Sequence, residues 1–199
     1  MSAAQTVSVV LAGVGGQGIL LASEITAQAA MRAGFQVKTN EVHGMAQRGG
    51  SVIAQIRYGT EVHSPLVQEG TARVLGAFEQ IEALRFAHYL APGGLTVVSS
   101  QVIVPVSVSN GGAAYPEDAE ARLRSVFPRL VYLDAGKMAT DLGNLRAANV
   151  IILGAISIGL ELDVEVWREA VAATVPAKVR DLNLRAFDAG RAAAIPATR

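Results

Sequence analysis

The chain has 199 residues, 51% of them apolar and only 17% charged, with 17 basic against 17 acidic side chains. That length and balance allow one domain with a sizeable core and exclude a polyanion binder held by bulk charge, so no nucleic-acid partner is expected. There is no cysteine, which excludes disulfides, thiolate nucleophiles, zinc–thiolate sites and cysteine-ligated iron–sulfur clusters within this chain.

The amino terminus, Met1-Ser-Ala-Ala-Gln-Thr6, has no basic region and runs directly into an apolar stretch, so no secretory signal is expected. Val7–Ala12 is a continuous apolar run bounded by Gly13, the pattern of a strand buried on both faces. From Gly18 to Ala33, Ile19, Ala22, Ile25, Ala29 and Ala33 recur at helical spacing, and Gly34 ends the pattern. Phe35–Val42 reads as a second strand, the segment His43–Gly50 as a loop, and Ser51–Tyr58 as an alternating strand. Val74–Phe78 reads as a short strand entering a helix over Glu79–Leu90, broken by Ala91-Pro-Gly-Gly94. Leu95–Val98 and Val102–Val108 are strand candidates, and Asn110-Gly-Gly112 is a turn. Pro116–Val126 is a charged amphipathic helix and Leu130–Asp134 another strand. Helical patterns then cover Ala147–Leu162, Val164–Thr174 and Lys178–Ala194.

The alternation predicts an α/β fold: an open, mainly parallel, Rossmann-like sheet with flanking helices and a helical carboxyl-terminal part. The apolar stretch Val150–Leu162 contains Gly154, Ser157, Gly159 and Glu161 and is too short to span a bilayer. It is expected as a core helix, with a partner surface as the alternative. No membrane partner and a cytoplasmic location are expected.

Two glycine-rich loops dominate the chemistry. Gly13-Val-Gly15-Gly16-Gln17-Gly18 matches G-x-G-x-x-G at a strand-to-helix turn, where bare backbone and the helix amino end suit a phosphate group. A dinucleotide would need an acid about 20 residues further on for the ribose; Glu41 falls late and Lys38 stands nearer that place. A tight turn without ligand and a different phosphate-bearing or partner-supplied ligand stay open. The second loop, His43-Gly-Met-Ala-Gln47-Arg48-Gly49-Gly50, carries a titratable ring, a cationic fork for carboxylate or phosphate, and two glycines free to adopt unusual dihedrals. A hairpin-like connection facing water is its other reading. If the strands before the two loops are parallel neighbours, both loops leave the same carboxyl edge, where open α/β sheets bind ligands.

Other chemistry is missing. His43, His63 and His88 do not fall at metal-ligand spacing, and no Gly-x-Ser-x-Gly elbow or P-loop occurs. No Gly-Asp-Gly segment with a downstream Asn, as used for thiamine diphosphate and magnesium, is found. Asp134 and Asp141 flank a short turn and read as cap and surface residues rather than an acid pair.

Gly13-Val-Gly-Gly-Gln-Gly18-Ile-Leu-Leu-Ala22 resembles the signature of the gamma domain of 2-oxoacid:ferredoxin oxidoreductases. Lys38-Thr-Asn-Glu-Val-His-Gly-Met-Ala-Gln-Arg-Gly-Gly-Ser-Val52 resembles the narrower indolepyruvate branch, whose beta subunit is a stand-alone version of that domain. Asn149 through Gly154-Ala155, then Pro176, Lys178, Asn183, Ala186-Phe187 and Gly190 fit as well, so the likeness covers nearly the whole chain.

The resemblance implies a single gamma-type domain over 1–199, with the helices of 147–194 packed on it. It implies a hetero-oligomeric enzyme, inactive as this chain alone, that oxidatively decarboxylates indolepyruvate or another aryl pyruvate to the acyl-CoA. A large alpha subunit would carry thiamine diphosphate, magnesium and [4Fe-4S] clusters, pass electrons to ferredoxin, and use coenzyme A as acyl acceptor. In this chain the implied binding residues are Gly13, Gly15, Gly16, Gln17, Gly18, Gln47, Arg48, Gly49 and Gly50. His43 and Arg48 are the only candidates for a catalytic role, and no metal site is expected. The alternatives are a gamma subunit for a different 2-oxoacid and a nucleotide-binding module without catalysis.

Overall fold

The computed structural model describes residues 6–44, 50–104 and 114–195. Gln47, Arg48 and Gly49, the turn at Asn110–Gly112 and most of the strand expected over Val102–Val108 lie outside them. Residues 101–104 carry no strand.

The apolar run at the start forms β1 (Val7–Val14), followed by α1 (Ile19–Arg32). Gly34, at φ +87°, ends that helix: its N–H donates to Met31 O at 3.0 Å, and the Phe35 N–H reaches Ala30 O at 3.1 Å. This is the paired closure that a left-handed residue permits at a helix end. Next come β2 (Gln36–His43), β3 (Ser51–Gly59) and β4 (Ala72–Ala77). They are followed by α2 (Gln80–Arg85), β5 (Leu90–Ser99), α3 (Ala119–Val126), β6 (Leu130–Leu133) and α4 (Ala135–Asp141). Three helices finish the described chain: α5 (Ala148–Ser157), α6 (Val164–Thr174) and α7 (Arg180–Ala194).

The sheet order is β2-β3-β1-β4-β5-β6. β1, β4, β5 and β6 pair in parallel, whereas β3 is antiparallel to both β1 and β2. β1 and β2 therefore run in one sense without being neighbours, because β3 lies between them. The short connection from His43 to Ser51 is the cause. A parallel return needs a crossover of about a dozen residues or more, so this chain turns back as a hairpin. Both glycine loops still leave the same edge of the sheet.

Three element boundaries depart from the sequence pattern. The helix expected over Glu79–Leu90 stops at Arg85, and a 3-10 turn at Ala87–Tyr89 leads into β5. The Ala91–Gly94 breaker lies inside that strand as a bulge: Leu90 pairs with Ala72 and Leu95 with Val74. The last apolar helix ends at Ser157, whose hydroxyl bonds back to Gly154 O at 2.6 Å. Where only a turn was expected after Asp134, α4 forms. Asp134 caps it by accepting the Lys137 N–H at 2.8 Å, and Lys137 pairs with Asp141 one turn on.

The larger core lies where α1, α5, α6 and α7 cover one sheet face, packing Leu11, Ile25, Ile56, Trp167 and Phe187 with the apolar helix α5. Val150, Ile151, Ile152, Leu153, Ala155 and Ile156 are at most 1% exposed, so α5 is a core helix and not a docking surface. α2 and α3 cover the other face over Val10, Leu75, Val98, Leu123 and Phe127. No described helix is long and apolar enough to cross a membrane.

Candidate functional site

The turn from β1 to α1 is built by glycine for two separate reasons. At Gly13 a Cβ would lie 2.7 Å from Gln17 Oε1, 2.9 Å from Ile19 Cδ1 and 3.0 Å from Phe78 Cβ, so a side chain there would push Gln17 and Ile19 aside. Gly16 and Gly18 instead hold φ of +98° and +80°, a region costly for a residue with a side chain. Gly18 also seats the Asn149 carboxamide where its own Cβ would be.

Gly18 is the N-cap of α1, with no side-chain cap and no acid in the first turn. The N–H groups of Ile19, Leu20 and Leu21 have no acceptor among the described residues. Such a helix end presents donors and partial positive charge to an anion.

Gln17 is occupied structurally. Its Oε1 accepts the Val14 N–H at 2.7 Å, while Nε2 donates to Phe78 O at 2.6 Å and to Gln101 Oε1 at 2.9 Å. The side chain clips the turn to the end of β4, and what it offers a ligand is the backbone beside it.

The two loops touch. The Gly15 N–H donates to Gly50 O at 2.9 Å, and the Gly44 N–H to Ser51 O at 2.8 Å. His43, exposed at the end of β2, pairs across the ladder with Val52. With Gly15, Gly16, Gly18 and Leu20 it borders a cleft of about 370 Å³.

On the other side of the turn lies a larger cleft of about 750 Å³, lined by Gly15–Gly18, Gln101, Ile103, Asn144, Arg146 and Asn149. A third, of about 370 Å³, shares Asn144, Arg146 and Asn149 and extends to Lys178 and Asn183. Arg146 is thus an exposed guanidinium on the shared border of two clefts, with no carboxylate partner among the described residues. Neither periodicity nor motif marks it, since its position depends on the loop between α4 and α5. Asn149, Lys178 and Asn183 carried a signal only through the family likeness.

Behind the loops sits a buried polar cluster. The Ser51 hydroxyl donates to the Glu82 carboxylate, which also accepts from Arg85 Nε at 3.0 Å. Glu79 caps α2 through the N–H groups of Ile81 (2.7 Å) and Glu82 (3.1 Å) and accepts the Tyr115 hydroxyl at 2.6 Å. Burial first, and then that bond to Glu79, push the Tyr115 hydroxyl well above the usual phenol range.

A separate cleft of about 380 Å³ at the opposite edge of the sheet includes Arg73 and Arg129. Those cations are already held, Arg73 by Gly159 O and Glu161 and Arg129 by Gly93 O. Among the described residues no cluster of three or more potential metal ligands occurs.

The described edge can bind an anion through backbone amides and a cation, but it presents no activated nucleophile and no paired acid and base. The pattern of the family described as pyruvate ferredoxin/flavodoxin oxidoreductase matches residues 8–193. The indolepyruvate oxidoreductase subunit IorB of Thermococcus kodakarensis is 43% identical over 192 residues, 94% of this chain and 95% of that protein. In fold, the gamma subunit of a keto/oxoacid ferredoxin oxidoreductase from Geobacter sulfurreducens superposes with a TM-score of 0.70 at 23% identity, over 96% of this chain and 99% of that one. A 2-oxoglutarate:ferredoxin oxidoreductase from Magnetococcus marinus, solved with 2-oxoglutarate, coenzyme A and succinyl-CoA bound, gives 0.72 at 24% identity, over 96% of this chain and 31% of that one. With residues 8–193 matched, the chain belongs to the pyruvate ferredoxin/flavodoxin oxidoreductase family and, within it, stands with the IorB-type subunits.

Proposed function

We propose that this chain is the thiamine-free subunit of a hetero-oligomeric, cytoplasmic 2-oxoacid:ferredoxin oxidoreductase that converts indolepyruvate or another aryl pyruvate to its acyl-CoA. The observation that carries this reading is the end-to-end match to an indolepyruvate oxidoreductase subunit, 43% identical over 94% of this chain and 95% of that protein. The site agrees with it. The first glycine turn lies between a cleft bordered by His43 and one bordered by Arg146, and the chain has no cysteine for a cluster.

In this reading residues 1–199 act as one gamma-type domain against a larger alpha subunit. That subunit holds thiamine diphosphate with magnesium, which supplies decarboxylation, and [4Fe-4S] clusters, which carry electrons to ferredoxin. This chain's own contribution is binding and orientation. The first-turn amides of α1 and the open backbone of Gly15, Gly16 and Gly18 hold an anionic group, which we assign to a phosphate of coenzyme A. Arg146 adds charge at the rim of the same cleft. To Arg48, which lies outside the described residues, we assign a fork for carboxylate or phosphate, and to Gly49 and Gly50 the freedom for close backbone approach. His43 and Gln47 orient that loop or bond the ligand. No proton transfer is assigned to His43.

The test is a tagged pull-down from the native cell, assayed for reduction of a viologen dye dependent on 2-oxoacid and coenzyme A. Co-purification of a large iron–sulfur protein, with activity on indolepyruvate above pyruvate, is expected. A lone chain, or a complex preferring pyruvate, refutes the assignment.

A further inference from the structure

Ser51 occupies a junction. It ends the ladder between β1 and β3, opposite Val14; its carbonyl accepts the Gly44 N–H, and Gly50 next to it accepts the Gly15 N–H. Its hydroxyl donates to Glu82, which is only 5% exposed. That carboxylate is far from solitary. Its second oxygen takes Arg85 Nε, and it sits in the first turn of α2, whose amino end favours negative charge. Its charge is therefore balanced within α2 itself. A hydroxyl bonded to a buried carboxylate is held more firmly than one bonded to water or to a neutral acceptor.

We propose that Glu82 is a positioning residue, which through the Ser51 hydroxyl sets the register of the two glycine loops so that the Gly15 amide meets the Gly50 carbonyl. The Gly44 N–H on the Ser51 carbonyl and the Gln17 amide on the Val14 N–H hold the two sides of this junction separately. Among the described residues the Ser51–Glu82 bond ties the β3 side to α2, and without it the terminal rung, Val14 opposite Ser51, frays more readily. The claim rests on the site reading above only for its effect on catalysis. The register itself is a property of the chain.

The experiment compares full-length wild type, Ser51→Ala, Ser51→Thr and Glu82→Ala by amide hydrogen exchange and thermal melting, and then by kinetics after reconstitution with the thiamine-binding subunit. Ser51→Ala and Glu82→Ala are expected to speed exchange at Gly15 and Gly44 about tenfold. Interior amides such as those of Val10 and Ile56 should be unchanged, and Ser51→Thr, which keeps the hydroxyl, should restore protection. Unchanged exchange at Gly15, or a rise spread evenly over β1 and β3, overturns the proposal. In the complex, a several-fold higher KM for coenzyme A with kcat within twofold supports both the register and the site. Faster Gly15 exchange with unaltered kinetics upholds the register and removes the loops from the binding site.

Discussion

Gly154→Ala and Gly136→Ala are the same chemical change in two helices, and the structure requires opposite outcomes. On α5, a Cβ at Gly154 would fall on the carbonyl oxygen of Phe187, 2.9 Å from its carbon and 3.1 Å from Arg191 N. Gly190 on α7 mirrors this against the Ile151 carbonyl. All these neighbours are backbone, so relief requires α5 and α7 to move apart. Both helices belong to the core that holds Trp167 and Phe187.

Overpacking of a well-packed core costs about 1–3 kcal/mol when side chains can adjust, and a rigid backbone contact belongs at the upper end. Alanine returns about 1 kcal/mol of helix propensity. The net expectation is a loss of about 2 kcal/mol. At about 2–4 °C per kcal/mol for a chain of this size, that lowers Tm by roughly 4–8 °C.

At Gly136 on α4 a Cβ meets nothing closer than 3.6 Å and φ is not positive, so only the propensity gain remains. It should stabilise by about 0.5 kcal/mol, reduced because the site lies in the first turn. Calorimetry or denaturant melts of both variants decide it. Shifts of equal sign, or a Gly154→Ala variant as stable as wild type, refute the close helix crossing.

Arg146→Ala should raise the KM for coenzyme A about 10-fold with little change in melting, the size expected for one charge-assisted hydrogen bond of roughly 1.5 kcal/mol. Arg48→Ala should act in the same direction, and unaltered kinetics in the reconstituted complex would remove either side chain from the site. Stability should also fall in strong alkali. Burial, partly offset by Arg73, pushes the Tyr58 hydroxyl up to about 12, well above the usual phenol range near 10. The folded state therefore keeps the proton that the unfolded chain has released. The contribution is whole below pH 10 and is lost as pH rises toward 12, amounting to about 2–3 kcal/mol at about 1.4 kcal/mol per pH unit. Tyr58→Phe should remove only part of that slope, because Tyr115 and Tyr132 are shifted the same way. A stability curve equally steep in wild type and variant would contradict it.

The elements readable from the sequence were those whose cause is local. The run Val7–Ala12, the helical spacing that Gly34 ends, and the glycines of the first turn each carry their reason within a few residues. Gly18 must sit in the left-handed region to start α1, and Gly34 to stop it. The family likeness rests on the same stretches, together with the second loop. The shortened helix at Gln80–Arg85 escaped the pattern because the following residues are apolar as well, and their turn is set by Leu90 joining the sheet beside Ala72.

What only tertiary structure decided concerns partners distant along the chain. A strand's period shows which face is buried but not its neighbour, so the insertion of antiparallel β3 between β1 and β2 was invisible in the residues of either. Gln17 looked like a ligand contact until the fold brought Phe78 and Gln101 to its amide. Arg146 and Glu82 had no mark at all. One gains its meaning from clefts formed by separate elements, the other from a serine 31 residues away. Sequence alone determined where the backbone must turn and which loops are chemically unusual, because those follow from side-chain size and dihedral freedom. Which groups face each other across the carboxyl edge, and which are already satisfied, was settled by packing.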